Sequence, residues 1–404
     1  MKIAIYHNLP PGGNKRALHD TVRGMKASGH TVDVHTLSIS EEGFKPLREV
    51  ADRVITHAVG ALRMQRAAGV LATLPSLRRV NRRIAEQLNR SDADVIWVAN
   101  CYLTQHPFVL RYLRRPVLLY TAEHLRHYYD YCWASPPEPT ATGGPGMVRR
   151  LVRRAPLALI ARVDRTNLAA ARNVLVNSCF TRENLLRYYG KDSTVVSPGV
   201  DLDRFRPLAI ERDDVVLSVG GLSPVKGHDT VIRSLAHVPA ARRPRLVVVA
   251  DRVEGETQRR RLEQLAATSG VNLEIRLQID EDALVVAYNR AKATVCANVL
   301  EPFGLVPLES MACGTPVIAV REGGLRESVR DGETGYLVDR DETALGAAID
   351  AVIGDDALRR CLGTQGVALA GVRFGLSRYW EQVERQVRAV ALRGELDRAW
   401  TSTP

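Results

Sequence analysis

Two glutamates separated by seven residues, Glu301 and Glu309, occur in the segment EPFGLVPLESMACGTPVIA of residues 301–319. A buried strand is predicted to end shortly before Glu301, and a helix is predicted to begin near residues 303–305. Gly304 would let a ligand approach the backbone closely, and the amides of a helix start suit a phosphate group. The carboxylates would then hold hydroxyl groups, so the segment predicts a sugar-nucleotide site. The alternative is a surface glutamate and a capping glutamate on an ordinary helix, but FGL between them and the small residues behind them favour the site.

Lys226 is a candidate cation for the same chemistry. It lies in VGGLSPVKG, residues 219–227, directly ahead of the predicted helix HDTVIRSL. When a nucleoside diphosphate leaves a sugar, negative charge grows on its phosphate oxygens, and fixed cations and helix dipoles can stabilise that charge. A lone lysine ahead of a helix is usually solvated, but its place in this motif makes Lys226 the candidate group for the leaving phosphate.

Gly12 and Gly13 follow the first predicted strand in the loop HNLPPGGNKRALHD. Glycines at this position would bring backbone amides close to a diphosphate, since no side chain keeps the ligand away. A simple tight turn is the alternative interpretation of the pair. The other motifs of the chain favour phosphate binding.

These candidates depend on an alternation of short apolar runs and helical patterns, which predicts parallel sheets with helices on both faces. In the first half, strands are predicted at residues 2–7, 31–36, 94–99, 116–120, 173–177 and 194–197. In the second half, they are predicted at residues 215–219, 245–250, 272–277, 293–297, 316–320 and 335–338. Ligands of such sheets bind beyond the carboxyl ends of the strands, which is where the candidate residues lie.

A turn-rich connection at residues 202–213 interrupts the alternation. We therefore predict two Rossmann-like domains, at residues 1–201 and 214–375, because 404 residues also exceed what one core usually holds. Residues 376–404 are predicted to be helical and to pack back toward the first domain. A loop rich in proline, glycine and threonine is predicted at residues 133–146.

The composition is ordinary for a globular protein, with 45% hydrophobic and 25% charged residues. The first residues read as a strand and a turn rather than a secretion signal, and no run approaches the ~18 apolar residues that span a membrane. The six cysteines show neither a CxxC pair nor a zinc spacing, and no metal site is predicted. We expect a cytoplasmic protein.

The charge is strongly positive: 56 lysines and arginines against 45 acidic residues give a net charge of +11. The excess is concentrated in two basic runs, residues 77–90 and 147–165. One interpretation is a solvated arginine-rich surface, and a second is attraction to an anionic membrane or acceptor. Nucleic acid is the third, but no binding motif or aromatic interleaving accompanies the runs, so no nucleic-acid partner is predicted.

The motifs together resemble the family 4 retaining glycosyltransferases, and the similarity extends over nearly the whole chain. It is carried by GGNKR, NSCFTRENLLRYYG, VVSPGVDLDRF, VGGLSPVKGHDTVIRSL, the two spaced glutamates and GGLRESVRDGETGYLV. The resemblance implies an α/β protein of the GT-B fold, in which two Rossmann-like domains face each other across a cleft. The first domain then binds the acceptor, and the second binds the nucleotide sugar.

The resemblance also implies roles for single residues. Glu301 would lie beside the donor sugar, and Glu309 would hold the ribose hydroxyls. The backbone of Gly304 and Leu305 would meet the diphosphate. Lys226 would stabilise that diphosphate as it leaves.

Two positions depart from the family pattern. The family usually has an arginine that binds the diphosphate where this chain has Gly221, so that charge is missing or replaced, for example by Arg16. After the strand PVLLY, the family commonly has a histidine that contacts the donor sugar, and alignment on Glu123 puts Ala122 there. His124 is the candidate for this catalytic contact, and a site that works without it is the alternative.

The implied reaction transfers a hexose-type sugar from a UDP- or GDP-sugar to an acceptor hydroxyl. It would proceed with retention and without a metal ion or other cofactor. The basic runs add the expectation of an anionic or lipid-linked acceptor, or of contact with the inner face of a membrane. Two other functions stay open: a catalytically weak sugar-nucleotide-binding or scaffold protein, and a disaccharide phosphorylase of the same fold.

Overall fold

Apolar runs rich in valine, isoleucine and leucine form two parallel sheets in the computed structural model, which describes residues 1–40, 43–60, 67–130, 146–251 and 256–401. Such continuous runs are typical of strands that are buried on both faces. The chain divides into two compact units. Unit 1 comprises Met1–Val196 and Trp380–Pro404, and unit 2 comprises Ser197–Tyr379. Apart from Gly146, the predicted loop at residues 133–146 lies outside the described residues.

The described residues of unit 1 form seven parallel strands. They are β1 (Lys2–Asn8), β2 (Thr31–Leu37), β3 (Arg53–His57), β4 (Val95–Cys101), β5 (Val117–Thr121), β6 (Asn173–Val176) and β7 (Thr194–Val195). Their order in the sheet is β3-β2-β1-β4-β5-β6-β7. The helices are α1 (Gly13–Ala27), α2 (Ala67–Arg90), α3 (Arg126–Tyr129), α4 (Gly146–Ala169) and α5 (Cys179–Tyr189). The winding reverses between β1 and β4, as in nucleotide-binding sheets, so the loops after these strands adjoin the usual ligand position.

Strand β3 is missed by the apolar pattern of the sequence. It lies at the edge of the sheet, and its residues RVITH are only partly buried. Arg53 forms a two-point contact with Asp33 of β2, with Nε and Nη2 at 3.0 and 2.6 Å from the carboxylate oxygens. An edge strand needs no continuous apolar run because it has a neighbour on one side only.

The described residues of unit 2 form six parallel strands. They are β8 (Val215–Val219), β9 (Arg245–Ala250), β10 (Leu273–Leu277), β11 (Ala293–Cys296), β12 (Val317–Val320) and β13 (Gly335–Val338). Their order is β10-β9-β8-β11-β12-β13. The helices are α6 (His228–Ala236), α7 (Glu256–Thr268), α8 (Glu281–Arg290), α9 (Leu305–Ala312), α10 (Leu325–Ser328), α11 (Glu342–Gly354) and α12 (Asp356–Arg373). Here the winding reverses between β8 and β11, and the Lys226 and Glu301 motifs follow these two strands.

The predicted connection at residues 202–213 belongs to unit 2 in the structure. Phe205 is buried in the core of that unit. The amide of Leu208 donates to Oδ1 of Asn289 at 2.8 Å. Arg212 donates to the hydroxyl of Thr315 at 2.7 Å. These bonds explain why the division between the units falls earlier, after Val196, than the turn-rich composition indicates.

The final helix, α13 (Leu376–Thr401), belongs to unit 1 from Trp380 onward. The indole Nε1 of Trp380 donates to the carbonyl of Asp20 at 2.8 Å, and its ring lies where a side chain at Gly24 would be. Nε2 of His30 lies 2.6 Å from Oε2 of Glu384. Neither α13 nor any other helix among the described residues is long and apolar enough to cross a membrane.

Candidate active site

Lys226 and Glu301 meet in unit 2. Lys226 ends a short 3-10 turn, Pro224–Lys226, that follows β8, and its Nζ lies 3.0 Å from Oε2 of Glu301. The side-chain amide of Asn298 donates to the same oxygen at 2.7 Å. Gly227 closes the turn with φ of 70°, and a side chain there would collide with the carbonyl of Ala297. The close approach of the two loops therefore places the predicted cation against the predicted acid.

Helix α9 begins directly after Gly304, whose φ of 91° favours glycine. The amide of Leu305 is the first of the helix, and the first amides of a helix have no partner within it. Together with the helix dipole, these amides suit an anion such as a diphosphate. The structure thus supplies the helix start that the sequence predicts at this position.

Glu309 lies within α9 and is only 3% exposed. Its Oε2 accepts a hydrogen bond from the hydroxyl of Tyr288 on α8 at 2.7 Å. This bond orients a buried carboxylate, which would otherwise be costly to bury. Tyr288 shows no motif in the sequence, so its contact with Glu309 was not predicted.

Gly221 follows β8 and forms part of the turn before Lys226. Its carbonyl accepts from the amide of Ser223 at 2.7 Å. A glycine contributes only backbone here, so the family's arginine has no counterpart at this position. The role predicted for Gly221 in diphosphate binding stays a prediction.

His228, the first residue of α6, is buried directly after this turn, and the sequence analysis did not single it out. Its Nδ1 lies 2.9 Å from the hydroxyl of Ser218, and its Nε2 lies 3.2 Å from the carbonyl of Gly220. Burial lowers the pKa of His228 to about 4, so the ring is neutral at physiological pH. A neutral ring can accept from Ser218 and donate to Gly220, which fixes the turn that carries Lys226.

The glycine loop lies in unit 1. Gly12 has φ of 136° and immediately precedes α1, which begins at Gly13. Lys15, in the first turn of α1, is completely buried. Burial and the nearby charge of Lys15 hold the pKa of His7 well below its ordinary value. The loop therefore combines a helix start with a buried cation, and phosphate binding at Gly12 and Gly13 stays a prediction.

His124 also lies in unit 1 and is 1% exposed. Its Nε2 lies 2.7 Å from Oδ1 of Asp130, and the other oxygen of Asp130 accepts from Nε of Arg126 at 3.2 Å. Burial raises the pKa of Asp130, but the bonds and charges of His124 and Arg126 outweigh this, so the pKa lies below its ordinary value. The donor contact predicted for His124 stays a prediction. To contact the donor sugar, the ring would have to use an atom other than Nε2 or give up the bond between Nε2 and Asp130.

A buried network beneath His124 was not predicted. Asp164 of α4 accepts from the backbone amide of His106 at 2.9 Å and lies 2.7 Å from its Nδ1. Its other oxygen accepts from the hydroxyl of Tyr189 at 2.6 Å, and that hydroxyl accepts from the amide of Leu125 at 3.2 Å. Burial and the charge of Asp164 raise the pKa of Tyr189 well above its ordinary value. The network fixes the backbone next to His124.

Two Rossmann-like units with parallel sheets are the architecture of the GT-B fold. Sucrose-phosphate synthase from Thermosynechococcus elongatus matches with a TM-score of 0.74 at 24% identity, over 100% of both chains. The Anabaena HepE protein in complex with UDP-glucose matches with a TM-score of 0.74 at 18% identity, over 96% of this chain and 100% of that one. The predicted fold class is confirmed.

Two family models match consecutive parts of the chain. Glycosyltransferase Family 4 matches residues 11–204, and Glycosyl transferases group 1 matches residues 200–367. Together the two models cover most of the chain, which belongs to the family 4 glycosyltransferases, as the motifs indicated. D-inositol 3-phosphate glycosyltransferase of Geodermatophilus obscurus is 40% identical over 46% of this chain and 46% of its own. The chain spans about half the length of the curated relatives it matches.

Proposed function

We propose that this protein transfers a hexose-type sugar from a UDP- or GDP-sugar to an acceptor hydroxyl, with retention and without a metal ion. The observation that carries the proposal is the contact between Lys226 and Glu301, 75 residues apart in sequence and 3.0 Å apart in space. A cation, an acid and the start of α9 suit the diphosphate and sugar of one donor molecule. Family membership supports the same reaction class.

The names of similar proteins support a nucleotide-sugar donor and suggest a class of acceptor to test. HepE was solved with UDP-glucose, a nucleotide sugar of the proposed class. The names of several relatives state that they act on D-inositol 3-phosphate. We therefore propose an anionic acceptor, with an inositol phosphate as its first candidate, and place the reaction at the cytoplasmic side of a membrane if the acceptor is lipid-linked.

In the proposed course of reaction, the bond between the sugar C1 and the terminal phosphate oxygen breaks while the acceptor oxygen bonds to C1 on the same face. The acceptor proton passes to an oxygen of the departing phosphate. Lys226 and the first amides of α9 stabilise the negative charge on that phosphate. Removing one such donor commonly costs ~3 kcal/mol of transition-state stabilisation.

The test is a thermal-shift screen with UDP, GDP, ADP and TDP, followed by transfer assays with sugars of the nucleotide that binds. D-inositol 3-phosphate serves as the acceptor, and unphosphorylated inositol serves as the matched control. Formation of a glycoside with the anomeric configuration of the donor supports the proposal. Nucleotide binding without hydrolysis or transfer would instead favour a catalytically weak binding or scaffold protein. The argument for that alternative is that position 221 holds a glycine where the family usually has an arginine. Release of sugar phosphate from a disaccharide would favour a phosphorylase.

A further inference from the structure

Arg340 lies outside every motif discussed above, yet its guanidinium group contacts the loop that carries Glu301. It follows strand β13. Its Nη1 donates to the carbonyl of Ala297 at 2.9 Å, and its Nη2 donates to the carbonyl of Asn298 at 2.8 Å. Both carbonyls belong to the segment that leads from β11 to Glu301. A single side chain therefore holds two consecutive peptide units of this loop.

Glu322, in the loop after β12, binds the same guanidinium group. Nε of Arg340 donates to its Oε1 at 2.7 Å, and Nη2 donates to its Oε2 at 2.7 Å. Oε2 also accepts from the amide of Leu300 at 3.4 Å. Burial raises the pKa of Glu322, but the hydrogen bonds and charge of Arg340 outweigh this, so its pKa lies below the ordinary value. The planar fork of arginine matches such a carboxylate in a way that lysine cannot.

The segment between these anchors is strained. Leu300 has φ of 46°, a left-handed conformation that is unfavourable for a residue with a side chain. Such a conformation persists only where neighbouring groups hold it. The amide of Gly324 donates to the carbonyl of Glu301 at 2.7 Å, immediately after the strained residue. The backbone of the loop is thus fixed on both sides of Leu300.

The consequence reaches the carboxylate of Glu301 itself. Arg340 fixes the backbone of Asn298, whose side chain donates to Oε2 of Glu301 at 2.7 Å. The same oxygen lies 3.0 Å from Nζ of Lys226. Glu309, in contrast, is oriented by Tyr288 from another element. The position of Glu301 and that of Glu309 therefore depend on different anchors.

We propose that Arg340 and Glu322 are positioning residues, which hold the loop of residues 297–301 so that the carboxylate of Glu301 lies beside Lys226. The proposal rests on the proposed function, because it assigns Glu301 to turnover of the donor sugar. Loss of the anchor lets Leu300 relax and moves the Glu301 carboxylate. Turnover then falls, while the nucleotide remains bound through Glu309 and α9.

The test compares Arg340→Gln and Arg340→Lys with the unaltered protein. The measurements are kcat and KM with the sugar nucleotide, Kd for the nucleoside diphosphate alone, and the thermal midpoint. We expect kcat to fall about 10–100-fold in both variants, as misplacement by about 1 Å can cause, with Kd unchanged. Arg340→Lys keeps the charge but cannot donate to all four acceptors. It therefore tests whether the loop needs the several hydrogen bonds of the guanidinium group or only its charge. Arg242→Gln is the matched control, because Arg242 binds Asp350 at 2.6 Å on an exposed part of unit 2.

The outcomes separate this proposal from the proposed function. An unaltered protein without transfer or hydrolysis of any bound sugar nucleotide contradicts the proposed function, and the positioning role with it. Turnover in the unaltered protein and the same kcat in Arg340→Gln overturn the positioning role alone. An equal loss of nucleotide affinity and kcat overturns it as well. So does loss of folded protein in both Arg340 variants while Arg242→Gln folds.

Discussion

Nζ of Lys226 lies 3.0 Å from Oε2 of Glu301, and each side chain partly neutralises the other. Charge-assisted hydrogen bonds between an ammonium group and a carboxylate are among the stronger polar contacts in proteins. The ammonium group that we assign to the leaving phosphate and the carboxylate that we assign to the donor sugar are therefore adjacent in the folded protein.

The first prediction concerns Lys226→Met, which keeps the aliphatic stem and removes the charge. We expect kcat to fall about 10²–10³-fold, because a fixed cation at the leaving phosphate is lost. Steady-state kinetics with the sugar nucleotide measure the effect. Lys292→Met is the control, since Lys292 pairs with Asp214 at 2.9 Å ahead of β8. A loss of the same size in both variants would remove Lys226 from the site.

The second prediction concerns Glu309. Glu309→Ala should weaken binding of the nucleoside diphosphate by ~1–3 kcal/mol, as expected for a buried hydrogen bond to a charged group. Tyr288→Phe removes only the orienting hydroxyl 2.7 Å away, so a smaller loss is expected. Isothermal titration with the nucleotide measures both variants. Unchanged affinity in Glu309→Ala would contradict the proposed ribose contact.

The sequence predicts the central strands well because their burial imposes a continuous apolar pattern. The bounds of β8 and β9, which lie inside their sheet, agree with the prediction to the residue. Strand β3 is missed because an edge strand needs no such pattern. The connection at residues 202–213 has a turn-rich composition, but its contacts with α8 and residues 314–315 depend on the folded structure.

Parts of the candidate site could be predicted only as separate motifs. The glycines and the spaced glutamates indicate a phosphate and hydroxyl site, but the contact of Lys226 with Glu301 depends on how β8 and β11 pair. Tyr288 and Arg340 carry no local pattern, because their roles arise from partners that are distant in sequence. A histidine that directly follows a glycine at the start of a predicted helix, as His228 does, is the weak sequence signal that could have indicated a fixed turn.

The third prediction concerns chelation. We expect full activity in EDTA, because Lys226 and the start of α9 would neutralise the leaving phosphate. Among the described residues, no group of three or more His, Cys, Asp or Glu side chains could hold a metal ion. The adjacent acids Asp213 and Asp214 pair with Arg290 and Lys292 ahead of β8. Loss of activity in EDTA that added Mg²⁺ or Mn²⁺ restores would contradict the proposed mechanism.

The fourth prediction concerns stability in acid. Burial lowers the pKa of His228 to about 4, and burial together with His57 lowers that of His35 to about 4. Between the unfolded value near 6.5 and pH 4, the unfolded chain binds protons that the folded protein does not, so the free energy of unfolding falls as the pH falls. Each histidine contributes a loss on the order of 3 kcal/mol.

Urea unfolding from pH 7 to pH 4.5 measures this dependence. His228→Asn should flatten it, because the side chain no longer titrates. His237→Gln is the control, since His237 is exposed at the end of α6. An equal slope in His228→Asn and the unaltered protein would show that His228 does not bind its proton differently in the two states.

The basic runs lie on two helices of unit 1, α2 and α4, and the side chains of residues 147–156 are outside the described part of the chain. In α2, Leu77, Ile84 and Leu88 are buried, while the arginines of the same run are exposed. In α4, Ile160 is buried, but Leu159 is 44% exposed. The apolar stretch of α4 is therefore only partly used by the core, and an exposed leucine lies on a helix rich in arginine. This combination suits an anionic membrane surface, where the arginines can contact the headgroups and the leucine can enter the apolar layer beneath them.

The last prediction concerns binding to vesicles. We expect the protein to cosediment with anionic vesicles at low salt and to dissociate as salt rises, because each basic residue contributes about 1 kcal/mol, screened over roughly 8–10 Å at physiological salt. The double variant Arg79→Gln/Arg83→Gln, on the exposed face of α2, should weaken binding by about 2 kcal/mol. Arg260→Gln/Arg261→Gln, on α7 of unit 2, makes the same change in net charge and should have a smaller effect. Equal weakening by both pairs would indicate a response to net charge alone. No binding to anionic vesicles even at low salt would leave a soluble, phosphorylated acceptor as the better assignment, because the arginines would then serve only as a solvated surface.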